Sequence, residues 1–244
     1  MTEPTGDGGP ERPVTVGVDP EVPRPAHVGF RVNVPDAWFA LDLDPATSNA
    51  SIEAYLDRCL SARPARAGAH RGQMRAILRQ AVAAQRAEGI FFSAFLAGNR
   101  GRPEDVVGAS LTIAFRQLPD GGLFEVDPMV ATLATADLEP GENAEARIVG
   151  KVLLQAGWAA YSHTNHLTPV PRSHRRQRVA FSQYFIPTPD LTWAAVLTVT
   201  TPNLDLALGV DGIAEGVAQS IEWLDATGRP IPGPEPPAEF SDTP

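Results

Sequence analysis

Cysteine is almost missing from this chain: Cys59 stands alone among 244 residues. An intramolecular disulfide is therefore excluded, and nothing in the composition demands an oxidising compartment. Lysine is as scarce, since Lys151 is the one lysine among 20 basic residues and arginine supplies the rest. No run approaches the roughly 20 apolar residues that a membrane-spanning helix needs. The opening MTEPTGDGG has neither a basic start nor an apolar stretch, and Cys59 lies too deep to be a lipid-anchor cysteine, so the expected location is cytoplasmic. Several chemical motifs are missing too: GxSxG, GxxxxGK followed by Ser or Thr, HExxH, CxxC, and a dinucleotide glycine fingerprint after a strand. These absences imply no cofactor and no metal, and they point away from catalysis.

Proline and glycine are plentiful, and the prolines gather at the ends. Residues 1–26 hold Pro4, Pro10, Pro13, Pro20, Pro23 and Pro25 with Gly6, Gly8 and Gly9 and almost no large apolar side chains. Such a segment cannot bury enough surface to offset ordering entropy, so it reads as a disordered acidic arm, and residues 225–244 read as a disordered acidic tail. Between them, 27–224 reads as one domain. The formal charge of −9 is divided unevenly, with −3 on the arm, −3 on the tail and −3 on the domain. An acidic tail of this kind could fold over a basic face of its own domain.

Hydrophobic periodicity gives the elements of that domain. Phe30, Val32 and Val34 alternate with polar neighbours, Pro35 and Asp36 turn the chain, and Trp38 to Leu43 reads as the returning strand of a hairpin. Asp42, Asp44 and the residues to Asn49 read as turn and cap positions before a short helix with the stripe Ile52, Tyr55, Leu56, Cys59, Leu60. Pro64 and Gly68 read as breakers, after which Met74, Ile77, Leu78, Ala81 and Val82 give a longer helix capped at Gly89. Strands follow over Ile90 to Leu96 and Val106 to Arg116; in the second, Ala109, Leu111, Ile113 and Phe115 face one side. A short helix is expected over Pro128 to Ala136, then strands over Ala146 to Leu154 and Trp158 to Leu167. Two alternating strands, Arg178 to Ile186 and Trp193 to Thr200, lead into a helix opened by Thr201, Pro202 and Asn203. Its stripe is Leu204, Leu208, Ile213, Val217, Ile221 and Leu224. Trp38, Trp158, Trp193 and Trp223 read as packing residues. The order implies an α+β fold, an antiparallel β-sheet packed with helices, with no parallel βαβ unit.

Val34-Pro35-Asp36-Ala37-Trp38-Phe39, Tyr184-Phe185-Ile186-Pro187, Thr200-Thr201-Pro202-Asn203 and Ile221-Glu222-Trp223 carry a resemblance over roughly Val28 to Trp223. On these residues the chain resembles the PsbP-like family of α/β/α sandwiches. That fold occurs in photosystem accessory subunits, a nuclear-import Ran-binding factor and many actinobacterial proteins. The resemblance implies a fold used for binding and assembly, with no catalytic residue among the matching positions. From the family's distribution it also implies a type VII secretion or cell-envelope component as one kind of partner.

Charge is the feature above background. From Arg58 through Ala87 there are seven arginines and no acid, and from Ala146 through Pro189 six cations and no acid. At about 100° per residue, Arg71, Arg75, Arg79 and Arg86 fall within roughly 80° of one another on the long helix. This row could meet an acidic partner, or lie solvated and paired with the acids between Asp120 and Glu145. Arg172, Arg175, Arg176 and Arg178, with His174 among them, form a denser basic loop before a strand, suited to an acidic segment or a phosphate. The acidic total and the lack of interleaved aromatics disfavour nucleic acid. His163 and His166, three apart in a strand, point to opposite faces and cannot share a metal there.

Three functions fit these patterns. The first is a non-enzymatic accessory or adaptor that binds another protein through a sheet edge or an arginine-rich face. The second is a small-ligand-binding protein or enzyme with a pocket between sheet and helices. The third is a structural homodimer or other oligomer in which an unpaired strand such as Val106 to Arg116 pairs across a two-fold axis.

Overall fold

The computed structural model describes residues 12–15, 29–61, 64–99, 106–118, 122–136, 147–169 and 175–232. In chain order these form β1 (Arg12–Thr15), β2 (Gly29–Val34), β3 (Phe39–Leu41), α1 (Ser48–Ser61), α2 (Pro64–Ala87), β4 (Ile90–Asn99) and β5 (Val106–Gln117). They continue as α3 (Val126–Thr135), β6 (Ile148–Leu154), β7 (Gly157–Pro169), β8 (Arg176–Pro187) and β9 (Trp193–Thr201). A 3-10 turn (Leu204–Leu206), α4 (Ala207–Gln219), β10 (Glu222–Leu224) and β11 (Pro230–Ile231) complete the described chain.

The strands make two antiparallel sheets, a seven-stranded one in the order β3-β4-β5-β9-β8-β7-β6 and a four-stranded one in the order β1-β2-β10-β11. With the helices this is an α+β fold. Strand alternation divides the large sheet's residues between two layers. Leu111 and Ile113 of β5, with Leu197 and Val199 of β9, are fully buried beneath α4 and the small sheet. Phe30, Val32, Ile221 and Trp223 close the same core, and Phe115 stacks on Trp223 with ring centroids 6.2 Å apart. On the opposite layer α1 and α2 pack Ile52, Leu56 and Val82 against Leu41, Phe39, Ile90 and Phe95. Each such side chain contributes on the order of 1.5–3 kcal/mol by leaving water.

Several expectations change here. Residues 29–34 and 39–41 are not a hairpin: β2 pairs with β1 and β10, whereas β3 pairs with β4 in the other sheet. The Pro35 turn, closed by Trp38 N–H donating to Pro35 O at 2.8 Å, carries the chain between sheets. Pro64 opens α2 instead of breaking it, a position where its missing N–H removes no helical bond. Gly68 lies inside the helix, and Gly89 takes φ 72° as the capping position requires. Two strands, β1 and β11, fall within the segments read as arm and tail; the rest of both arms lies outside the described residues apart from the tail's opening stretch to Pro232.

The last helix is shorter than its apolar stripe suggested. It starts only at Ala207, after the 3-10 turn, and buries Val210, Ala214, Val217 and Ala218, leaving Leu204 and Leu208 41% and 87% exposed. Ile221 and Leu224 lie beyond its end, in and beside β10. Asn203 does not cap with its side chain; its Oδ1 accepts the Gly108 N–H at 2.9 Å and ties the turn to β5. The strand from Val106, expected to offer a free edge, is paired on both sides by β4 and β9, so that edge belongs to β3 and β6.

Candidate functional site

The arginines of α2 turn inward to the neighbouring helix. Arg71 donates to Glu53 Oε2 at 2.6 Å and Asp57 Oδ1 at 2.7 Å, Arg75 grips both oxygens of Glu53, and Arg79 Nε donates to Asn49 Oδ1 at 2.8 Å. Arg86, half-buried in the last turn, is also engaged. The hydrogen bonds from Arg75 and then Arg71 hold the Glu53 carboxyl down to about 2, from an ordinary 4.5. Among the described residues the counter-charges of Arg71 and Arg75 are thus the α1 acids Glu53 and Asp57, because α1 and α2 pack side by side.

The second basic stretch sits differently. β7 and β8 stay paired as far as Pro169 opposite Arg176. β6 accompanies β7 only to His163, and β9 accompanies β8 only to Ala180. Among the described residues, His166–Pro169 and Arg176–Val179 therefore run on beyond the sheet as a two-stranded ribbon of four residue pairs, roughly 10 Å long at about 3.4 Å per residue. Arg176 and Arg178 are exposed on the face that also carries Ala180 and Ser182, and they have no ion pair or hydrogen bond among the described residues. Arg175 is exposed and engaged; Arg172 and His174 lie outside the described residues. The 3-10 turn lies against β8 on this side, so the exposed Leu204 and Leu208 stand at the same end of the sheet as the two arginines. Exposed arginines and exposed leucines thus share one end of the sheet, which sequence reasoning missed because it placed both leucines in the core.

Further up the same face a polar cluster lies under α4. Ser182 Oγ donates to Asp211 Oδ1, and His163 Nδ1 lies 3.4 Å from the same oxygen, off the line of a good hydrogen bond. Tyr161 and Tyr184 flank the imidazole at ring-centroid distances of 5.1 and 6.0 Å. Burial pushes the Asp211 carboxyl up, but contact with His163 and the bond from Ser182 outweigh it and hold the acid below its ordinary value. Burial, with Glu215 and Asp211 nearby, pushes the Tyr184 phenol up. Asp211 accepts from Ser182, so the hydroxyl is bonded to the acid instead of the histidine, and at 2% exposure Ser182 is closed to solvent. That arrangement pins α4 to β7 and β8.

His166 faces the other layer, edge-on to Phe181 at 4.6 Å, and no group of three metal-ligating side chains occurs among the described residues. Asp42 and Asp44 serve turns, Asp44 Oδ1 accepting Ala46 N–H at 2.8 Å. A cleft of about 180 Å³ opens between the β6–β7 turn and β10–β11, lined by Gln155, Ala156, Trp223 and Ile231. That is small beside the roughly 300–1,000 Å³ usual for ligand sites. No helix among the described residues is long and apolar enough to cross a membrane.

No protein-family model and no curated protein sequence matches the chain. Among solved structures it is similar to LpqN of Mycobacterium tuberculosis, described as involved in cell envelope biogenesis. The alignment covers 88% of this chain and 90% of that one, at 11% identity and a TM-score of 0.43. A likeness at that level carries no argument about what this chain does.

Proposed function

We propose that the protein is a non-enzymatic adaptor that binds an acidic segment of another protein on the β7–β8 ribbon. Arg176 and Arg178 are the charged contacts, and Leu204 and Leu208 are the apolar anchors beside them. The observation that carries this reading is that both arginines are exposed with no counter-charge among the described residues, on backbone that the rest of the sheet leaves behind. Planar guanidinium groups match carboxylates bidentately, and an exposed leucine beside them supplies the area that a charge pair in water lacks. Arg71, Arg75 and Arg79 take a supporting role in this scheme, since their donors are already bonded to α1.

Membership of the PsbP-like family, a cytoplasmic location and an envelope or secretion component as partner belong to the same proposal. They rest on the sequence resemblance and on the lack of a long apolar run in the sequence. Titrating a fluorescent acidic peptide against the full chain tests the reading. Saturable binding that fades with salt and with Arg176→Glu/Arg178→Glu supports it, whereas binding that ignores both substitutions rejects it.

A further inference from the structure

The outer side of β6 is where the fold stays incomplete. β6 ends the strand order of the large sheet, and among the described residues no strand pairs its outward main-chain groups. Natural edge strands are usually short, charged or covered. β6 is seven residues long, and its one charge is engaged: Lys151 Nζ bonds Asp127 Oδ1 of α3 at 2.7 Å and sits 5.6 Å from the centre of the Trp158 ring. Arg147, just before it, donates to Ala136 O at 2.7 Å and Leu133 O at 3.3 Å, closing the end of α3. What remains uncovered is apolar, with Ile148 58% and Leu153 49% exposed on opposite faces of the strand.

The helix beside this edge, α3, is only partly covered. α3 leaves Val126, Met129, Val130 and Leu133 only half-buried against β6 and β7, while α4, of similar hydropathy, fully buries four. A helix of that composition ordinarily hides a continuous stripe.

The geometry points to a second copy of this chain as the occupant, with β6 pairing antiparallel to its symmetry mate across a two-fold axis so that two seven-stranded sheets become one. An isologous contact requires a surface that complements itself. Among the described residues this edge does so, its one lysine being engaged and both its faces carrying apolar side chains. A register centred on Lys151 would set two ammonium groups opposite each other. Centred on Gly150, it places Ile148 opposite Val152 of the second copy and Val149 opposite its Lys151, with no like-charge pair. Gly150 suits the axis because its side-chain space is already taken: a Cβ there would lie 2.7 Å from Tyr161 Oη. The Tyr161 rings of the two copies then meet over the axis, and the flanks of α3 in the two copies approach on the other face. The contact stands on the β6 edge and α3, separate from the ribbon arginines, and gives the pair two ribbons.

Light scattering of the full chain at high micromolar concentration, with backbone hydrogen exchange over 148–154, tests the inference. The expected result is twice the chain mass with slow exchange along β6. Ile148→Lys/Leu153→Lys, both at exposed sites, should give a folded monomer with fast exchange there. The milder Ile148→Thr/Leu153→Thr should raise the dimer dissociation constant by about tenfold or more, roughly 1.4 kcal/mol. A monomeric wild type overturns the inference, and so does a dimer indifferent to both pairs of substitutions. A β6 protected only when some other protein is added also overturns it.

Discussion

Arg75 on α2 and Arg178 on β8 come from the two acid-free stretches of the chain, and the fold uses them in opposite ways. Arg75 holds Glu53 across a helical hairpin, where its bonds join two elements that an apolar layer already packs together. Arg178 stands on a ribbon beyond the sheet without a partner among the described residues. Charge density along the chain does not separate these cases. What separates them is whether an acid lies within reach of the guanidinium once the backbone is placed.

The largest expected effect lies under the arginine clamp. Leu56 of α1 is fully buried in the cluster with Leu41, Ile52 and Val82, so Leu56→Ala should lower stability by about 2–5 kcal/mol in a denaturant titration. If instead the loss matched that from removing Glu53, the helical hairpin would rest on its ions. Next comes charge reversal on the ribbon. Arg176→Glu/Arg178→Glu should weaken binding of an acidic segment by about tenfold or more, roughly 1.4 kcal/mol, and leave the melting temperature unchanged.

Glu53→Gln should produce the converse, a lower melting temperature with partner binding intact. Its effect depends on pH. The folded carboxyl titrates near 2 against an ordinary 4.5, so its contribution is complete above about 4.5 and is lost as pH falls towards 2. Melting curves of wild type and variant should differ at neutral pH and converge in acid. Asp211→Asn follows the same sign, because that acid is also held below its ordinary value; its smaller signature should be faster hydrogen exchange in α4. Smallest of all, raising salt should shift unfolding by no more than about 0.5 kcal/mol while abolishing capture through the ribbon.

Much of the fold was legible because period-two and helical patterns report local burial. Leu111, Ile113 and Phe115 alternate as the strand requires, and Gly89 marks the end of α2. Leu204 and Leu208 misled because a stripe in sequence does not say where the helix begins, and the 3-10 turn moved its phase. The three-residue strand at Glu222–Leu224 is too short for a pattern. In the candidate site, the basic run through Arg178 was visible. Its projection was not, because the ribbon is set by where β6 and β9 stop, two strands distant in sequence. The tie between Arg71 and Glu53, 18 residues apart on separate helices, needed the packing of α2 on α1.

The most direct measurement is partner capture from the native host's extract by three immobilised chains: wild type, Arg176→Glu/Arg178→Glu, and Arg71→Gln/Arg75→Gln. The account predicts that one and the same protein is retained at low salt by the wild type and the α2 variant, and is lost with the ribbon variant. Retention by the ribbon variant, with loss by a correctly folded α2 variant, would contradict it.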